Sequence, residues 1–393
     1  MLACGGYIRE ERIMIYFDNS ATTKPFKEVL DAFIKVSSSY FGNPSSLHQI
    51  GGQAEKLLSQ AHSQIAKILG VKASEIVLTS GGTEGNNLAI KGIAMEHRGR
   101  GKHIITTEIE HDSVRNSVKQ LEELGFDVTY IPVDREGRVN PADIKRAIRN
   151  DTILVSVIHI NNEVGSVQPI REIGSILKDF PKIYFHVDHV QGVGKLPLNF
   201  YEYGIDLCTI SGHKFHGLKG TGALFVRDGV KISSLLSGGG QEAKRRNGTE
   251  NVAGMVAMAK ALRMSMDLRT QKFDQLKQIL GTIKSGLQQL PEATIHTPEY
   301  NAAPHILNFS LKGIKAEVFV HALEEEGIYV STTSACSSKR NAPSKTLIAM
   351  GVPADQAESA IRISLSYENT LQEAEKVVKA VSNSVKRLRE VMN

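Results

Sequence analysis

The 393-residue chain has room for one large hydrophobic core and a second, smaller one. Its net charge of +5, from 47 basic and 42 acidic side chains, is too small an excess to argue for nucleic acid, and no apolar run approaches the roughly 20 residues a bilayer span needs. Three cysteines, Cys4, Cys208 and Cys336, form no C-x-x-C pair and are odd in number, which argues against a disulfide framework or a zinc knuckle and for a reducing compartment.

Residues 1–13 lack a secretory apolar region and read as a dispensable extension, because Met14 directly precedes IYFDNSATTKP. From residue 75 to 230 the chain alternates strand-like and helix-like segments. The strands are EIVLTS (75–80), HIITTE (103–108), DVTYIPV (127–133), ILVSVIHI (153–160), IYFHVDHV (183–190), DLCTISG (206–212) and GALFVR (222–227). Several are near-continuous β-branched runs, as in strands buried on both faces. DSVRNSVKQLEELG (112–125) reads as a helix capped by Asp112 or Ser113 and stopped at Gly125, and IREIGSILKDF follows Pro169 as another. The alternation predicts an α/β fold with a large, mostly parallel sheet covered by helices. Residues 251–290 read as long helical sequence broken by Gly254, Gly281 and Gly286. After Pro291 a smaller α/β unit follows: HILNFSL, KAEVFVHALEEEG, YVSTTSA, SAIRISLS and a last helix from about Leu371. The expected division is a segment 14–30 packing with the small unit, a large domain 31–265, and a small domain 266–393.

Ligands of open α/β sheets collect outside the carboxyl ends of the strands. Thr83, His111, Asn161, Asn162, Asp188, Gln191, Ser211, His213 and Lys214 all fall there. In TSGGTEGNNLAI (79–90), Gly82 and Thr83 lie between a strand and a helix, where free N–H groups and a hydroxyl suit a phosphate; an ordinary glycine turn is equally compatible. Asp188 sits inside an apolar strand and needs a cation or donors: either a structural arginine or a cationic ring nitrogen. SGHKFHGLKGTG (211–222) holds two histidines, His213 and His216, at H-x-x-H spacing, and HVDH (186–189) repeats it. Strand alternation separates His186 from His189 and weakens a metal reading. Lys214, beside glycines and hydroxyls at a sheet edge, suits a covalent amine better than a solvated surface group. Cys336 lies in STTSACSSKRNAPS among small polar and basic residues, which favour a thiolate; an incidental exposed thiol fits the same spacing. Arg362, in an apolar strand, requires an anion: a structural carboxylate or that of a substrate. The sequence offers no role for His216.

The segments YFDNSATTKP, FGNPSSLH, TSGGTEGNNLAI, EIEHDSV, INNEVGSVQPI, FHVDHVQGVGKLPL, ISGHKFHGLKGTGALFVR, GGGQEAKRRNGTENV and SACSS occur in that order from Ile15 onward. Together they resemble the cysteine desulfurases of the NifS/IscS type, within the class V aminotransferases. The resemblance implies a fold-type I pyridoxal 5′-phosphate (PLP) transferase that removes sulfur from L-cysteine, giving L-alanine and a persulfide on Cys336. Residue by residue, it implies that Lys214 binds PLP covalently and that His111 stacks on its ring and takes part in proton transfer. Asp188 would face the ring nitrogen and Gln191 the phenolic oxygen. Gly82, Thr83, Ser211 and His213 would hold the phosphate, with Thr249 contributed by the second subunit of a homodimer. Asn162 contacts the cofactor, and with Arg362 it fixes the substrate carboxylate. The implied setting is the cytoplasm, without membrane, direct nucleic-acid binding or intrinsic metal, and with a protein sulfur acceptor serving Fe–S cluster assembly, tRNA thiolation or sulfur-cofactor synthesis. Thr333 replaces a usual glycine beside the cysteine loop, and His189 and Val190 replace usual small residues. The alternatives are another class V PLP enzyme such as an aminotransferase or selenocysteine lyase, a metal-dependent hydrolase built on the H-x-x-H pairs, and a non-catalytic sulfur carrier.

Overall fold

The computed structural model describes residues 14–332 and 343–392. Seven strands form the large sheet in the spatial order Ile76–Thr79, Gly222–Val226, Leu207–Ser211, Tyr184–Asp188, Thr152–Ile158, His103–Thr107 and Asp127–Ile131. Every pairing is parallel except those made by Gly222–Val226, which runs antiparallel to both neighbours. All seven predicted strands are present, each end within two residues of its expected position.

The inner strands are largely apolar because both faces are covered, whereas the edge strand Asp127–Ile131 is only partly buried. Val155, Val157, Phe185, Val187, Cys208 and Ile210 pack into one core layer, and Leu154, Leu207, Leu224 and Val226 into the opposite one. Alternation along each strand assigns the two layers.

The helical stretch after Asn251 is continuous rather than broken. A single 37-residue helix, Val252–Gln288, runs from the large sheet to the small unit. Gly286 permits close packing without interrupting the helix: a Cβ there would lie 2.4 Å from Val378 of the C-terminal helix Leu371–Met392. The small unit is an antiparallel sheet in the order Ser331–Thr332, Ala360–Ser364, Ile306–Leu311, Ala293–Ile295. Its core joins Leu307, Phe309, Ile361 and Ile363 to Ile279, Ile283, Val377 and Val381.

The N-terminal segment ties the two units. Ile15–Tyr16 pairs in parallel with Ile328–Tyr329, and Asp18 bridges to Ser364. Residues 20–23 then cross to the end of Leu207–Ser211. Among the described residues no helix is long and apolar enough to cross a membrane.

Candidate active site

The strand Leu207–Ser211 leads into a short 3₁₀ turn, Gly212–Lys214, which aims Lys214 at the N-terminal segment. The Lys214 amino group donates to the carbonyls of Ser20 and, at 2.8 Å, Ala21. Gln191 Nε2 donates to the same Ser20 carbonyl at 3.0 Å. Thr23 fastens this arrangement: its N–H and hydroxyl both donate to the His213 carbonyl at 2.9 Å, and the hydroxyl accepts the His216 N–H at 2.7 Å. His216 thereby acquires a structural place. It stacks on Phe26 at 4.2 Å, and its Nδ1 pairs with the Lys24 carbonyl at 2.8 Å.

Beside this turn stands the start of the helix Gly82–His97. Its cap residue Gly81 has φ 151° and supplies no side-chain hydrogen bond, so the first-turn N–H groups lack the usual side-chain cap. A Cβ at Gly82 would lie 2.9 Å from the Val190 side chain, so glycine lets this turn pack close against Val190, with Ser211 Cβ in ordinary contact at 3.5 Å. Glu84 holds the turn by accepting from the Ser80 N–H at 2.7 Å and from Arg246 at 2.8 Å. Gly82 and Thr83 thus open a helix whose start lies against Ser211, an arrangement that suits an anionic phosphate, while His213 follows two residues later with its Nδ1 3.2 Å from Thr22 Oγ1.

Asp188 ends its strand buried at 3% exposure. Its carboxylate accepts from Asn86 Nδ2 at 2.7 Å and from the Val190 N–H at 3.0 Å. No arginine or lysine pairs with it among the described residues, which leaves its charge to be met by a cation such as a protonated ring nitrogen. His111, not Asp112 or Ser113, caps the helix Asp112–Glu123: its backbone is still extended, and its Nδ1 accepts the Ser113 N–H at 3.1 Å. Burial holds its pKa below the ordinary histidine range; Asp188 opposes that shift and Lys214 adds to it. His111 is therefore within electrostatic reach of both. Glu110 is buried and pushed up to about 8; Thr107 Oγ1 and the Ile158 N–H donate to it at 2.7 and 2.8 Å, locking two strand ends behind His111. Sequence reasoning passed over Glu110 and Asn86, although both stand inside the motif segments, because neither residue type announces a role there.

Arg362 is 4% exposed. One guanidinium nitrogen donates to Asp18 Oδ1 at 2.9 Å and the other to the Asn162 carbonyl at 2.9 Å. The structural carboxylate considered for Arg362 is thus Asp18, while Nε is buried with no hydrogen-bond partner among the described residues. Arg362→Met is expected to destabilise the fold by about 3 kcal/mol in denaturant unfolding, by leaving Asp18 unpaired, and Asp18→Asn in the same chain to recover part of that loss.

Thr249 is exposed just before the helix Val252–Gln288. Cys336 lies outside the described residues. The chain on either side of it is anchored at the site. Ser331 pairs in register with Arg362, while Ser344 and Thr346 donate to Glu163, the latter at 3.1 Å. The H-x-x-H histidines diverge: both His186 nitrogens meet hydroxyls, of Ser156 at 2.8 Å and Thr209 at 3.1 Å, while His189 Nδ1 meets His159 Nδ1 at 2.7 Å. Among the described residues no three His, Cys, Asp or Glu side chains group to hold a metal.

Comparison with known proteins places this geometry in context. The family model for aminotransferase class-V matches residues 15–377. A NifS/IcsS protein homolog of Lactobacillus delbrueckii subsp. bulgaricus is 48% identical over 93% of this chain and 96% of its own length. A cysteine desulfurase IscS of Dictyoglomus turgidum is 43% identical over 96% of each chain. Among solved structures, a NifS-like protein superposes with a TM-score of 0.90 at 36% identity, covering 95% of this chain and all of its own.

Proposed function

Because the chain belongs to the aminotransferase class-V family, we propose that it is a pyridoxal 5′-phosphate-dependent cysteine desulfurase, converting L-cysteine to L-alanine and retaining the sulfur as a persulfide on Cys336. The observation that carries this reading is the hydrogen-bonded path from His111 through Ser113 and Asn86 to the buried carboxylate of Asp188, which makes no ion pair among the described residues. An amine, an aromatic ring, a carboxylate for a ring nitrogen and a glycine-lined helix start for a phosphate meet at one sheet edge, and these are the groups PLP requires. The relatives named for cysteine desulfuration support the substrate.

When bound, PLP supplies an electron sink for the substrate Cα. Asp188 would hold a protonated ring nitrogen, and Gln191, which shares the Ser20 carbonyl with Lys214, would meet an oxygen of the cofactor. The uncapped start of Gly82–His97, with Thr83, Ser211 and His213, holds the phosphate. Lys214 serves as covalent anchor and as the base at Cα. Arg362 and Asn162 receive the substrate carboxylate at the junction of the two units. The Cys336 thiolate takes the substrate sulfur, whose bond to Cβ breaks; the three-carbon remainder leaves as alanine after proton return. The anchoring of Ser331 and Ser344 beside Arg362 and Glu163 supports a reaction in which Cys336, of the small domain 266–393, meets substrate held by the large domain 31–265. Thr249 completes the phosphate site of a second copy in a homodimer, and a protein acceptor in the cytoplasm drains the persulfide.

Cys336→Ala decides between this reading and another class V enzyme. The variant is expected to lose persulfide formation entirely and sulfide release at least ~100-fold, read by mass spectrometry of the cysteine peptide and by alanine assay. Sulfide release from cysteine at the unaltered rate would instead assign a class V activity that needs no thiol. Labelled sulfur loaded from cysteine then identifies the acceptor.

A further inference from the structure

We infer that Asn86 and Ser113 form a relay from Asp188 that fixes His111 as the Nε2–H tautomer, so that His111 serves as a neutral hydrogen-bond donor rather than as a proton acceptor. The chain of contacts is short and buried. Asn86, 1% exposed, donates one amide hydrogen to Asp188 Oδ2 at 2.7 Å and the other to Ser113 Oγ at 2.8 Å. Ser113 Oγ lies 2.8 Å from His111 Nδ1, and the Ser113 N–H donates to the same nitrogen at 3.1 Å.

The hydrogens follow from the donor inventory. Turning the Asn86 amide over would set its oxygen against the Asp188 carboxylate, acceptor against acceptor, so Nδ2 faces both partners. Its own oxygen consequently has none and is buried. A buried carbonyl without a donor is unfavourable, and the two donated bonds offset it. Ser113 Oγ could accept from both Asn86 and a protonated Nδ1, but the Ser113 N–H already donates to Nδ1 and makes it an acceptor, so the Ser113 hydroxyl, which accepts from Asn86, turns its single hydrogen to His111 Nδ1. That nitrogen then receives two donors and cannot carry hydrogen itself, which leaves the hydrogen on Nε2. Protonation would place a second hydrogen on Nδ1, directly against the Ser113 N–H. Burial and the nearby Lys214 and Arg115 act in the same direction, while Asp188 and Asp112 act against it.

The functional consequence rests on the PLP reading: with His111 unable to accept a proton, Lys214 is left as the base, and His111 offers Nε2–H to substrate or cofactor. This differs from the proton-transfer role that resemblance implies for His111.

The test is ¹⁵N-histidine NMR of the holoenzyme, with the His111 signals identified by their loss in His111→Gln. The wild type is expected to show an unprotonated Nδ1 and a protonated Nε2 down to acidic pH. Ser113→Ala is expected to give mixed tautomers and an apparent His111 pKa higher by about one unit. It should also shift the acidic limb of the kcat profile upward, and Ser113→Thr should restore both. Asn86→Leu should reproduce the tautomer mixing. A wild-type Nδ1–H signal, or a Ser113→Ala spectrum unchanged from wild type, overturns the relay. The tautomer is read without substrate, so it stands or falls separately from cysteine turnover.

Discussion

Lys214→Ala is expected to lower cysteine turnover at least ~10³-fold while the protein keeps its fold, because a positioned proton-transfer group contributes on that scale. Two roles compete for this residue. As a clamp, Lys214 binds the Ser20 and Ala21 carbonyls and pins the N-terminal segment across the sheet edge. As a chemical amine, it must lose a proton and attack. Lys214→Arg separates the two, since a guanidinium can serve the same two carbonyls but does not deprotonate near neutral pH. The arginine variant should melt close to wild type, within a few degrees, and remain as inactive as the alanine variant. Borohydride reduction of the PLP-loaded wild type should fix the cofactor on the peptide carrying Lys214, and small primary amines should partly restore the alanine variant. Activity surviving in Lys214→Arg would assign the residue to the clamp and require another amine for the chemistry.

The sheet was legible because burial on both faces writes itself as uninterrupted β-branched sequence, as in ILVSVIHI. The polar residues punctuating the ends of such strands could then be placed on one edge without coordinates. Other features depend on partners far away in the chain. The antiparallel direction of Gly222–Val226 follows from its connection to Leu207–Ser211, and its composition matches that of a parallel strand. Arg362 advertised a missing anion, but Asp18 lies 344 positions earlier, and only the crossing of residues 14–23 brings them together. The helix cap fell on His111 instead of Asp112 because histidine is an uncommon cap whose Nδ1 works only when its hydrogen is elsewhere, a condition set by Ser113 and Asn86. Asn86 carries no local pattern at all. Its role exists because the helix Gly82–His97 packs across the ends of Tyr184–Asp188 and Asp112–Glu123 at once.

Lys195→Met is expected to raise the melting temperature by several degrees at pH 6, the largest stability gain among single substitutions considered. Lys195 follows the motif segment HVDHVQGVG and is 5% exposed, with its amino group 4.1 Å over the ring of Tyr367. It has no hydrogen bond or ion pair among the described residues, and burial pushes it down to about 7. Around it, both ring nitrogens of His305 and Nε2 of His216 are buried without partners, and Lys195 helps burial keep both histidines neutral. The lysine thus has a folded pKa below its unfolded value of about 10.4. Between pH 7 and about 10.4 the unfolded chain binds more protons, so stability attributable to this group rises with pH across that window. Below pH 7 the unfavourable burial of an ammonium is present in full, on the order of 4 kcal/mol before relaxation. Methionine keeps the stem and the contact with the Tyr367 ring and removes the charge. The gain over wild type should therefore be greatest at pH 6 and shrink toward zero by pH 10, followed by thermal melts at both values. A variant that melts lower than wild type at pH 6 would mean that the ammonium over Tyr367 is a net attraction strong enough to outweigh its desolvation, and that the two domains use it as a fastening.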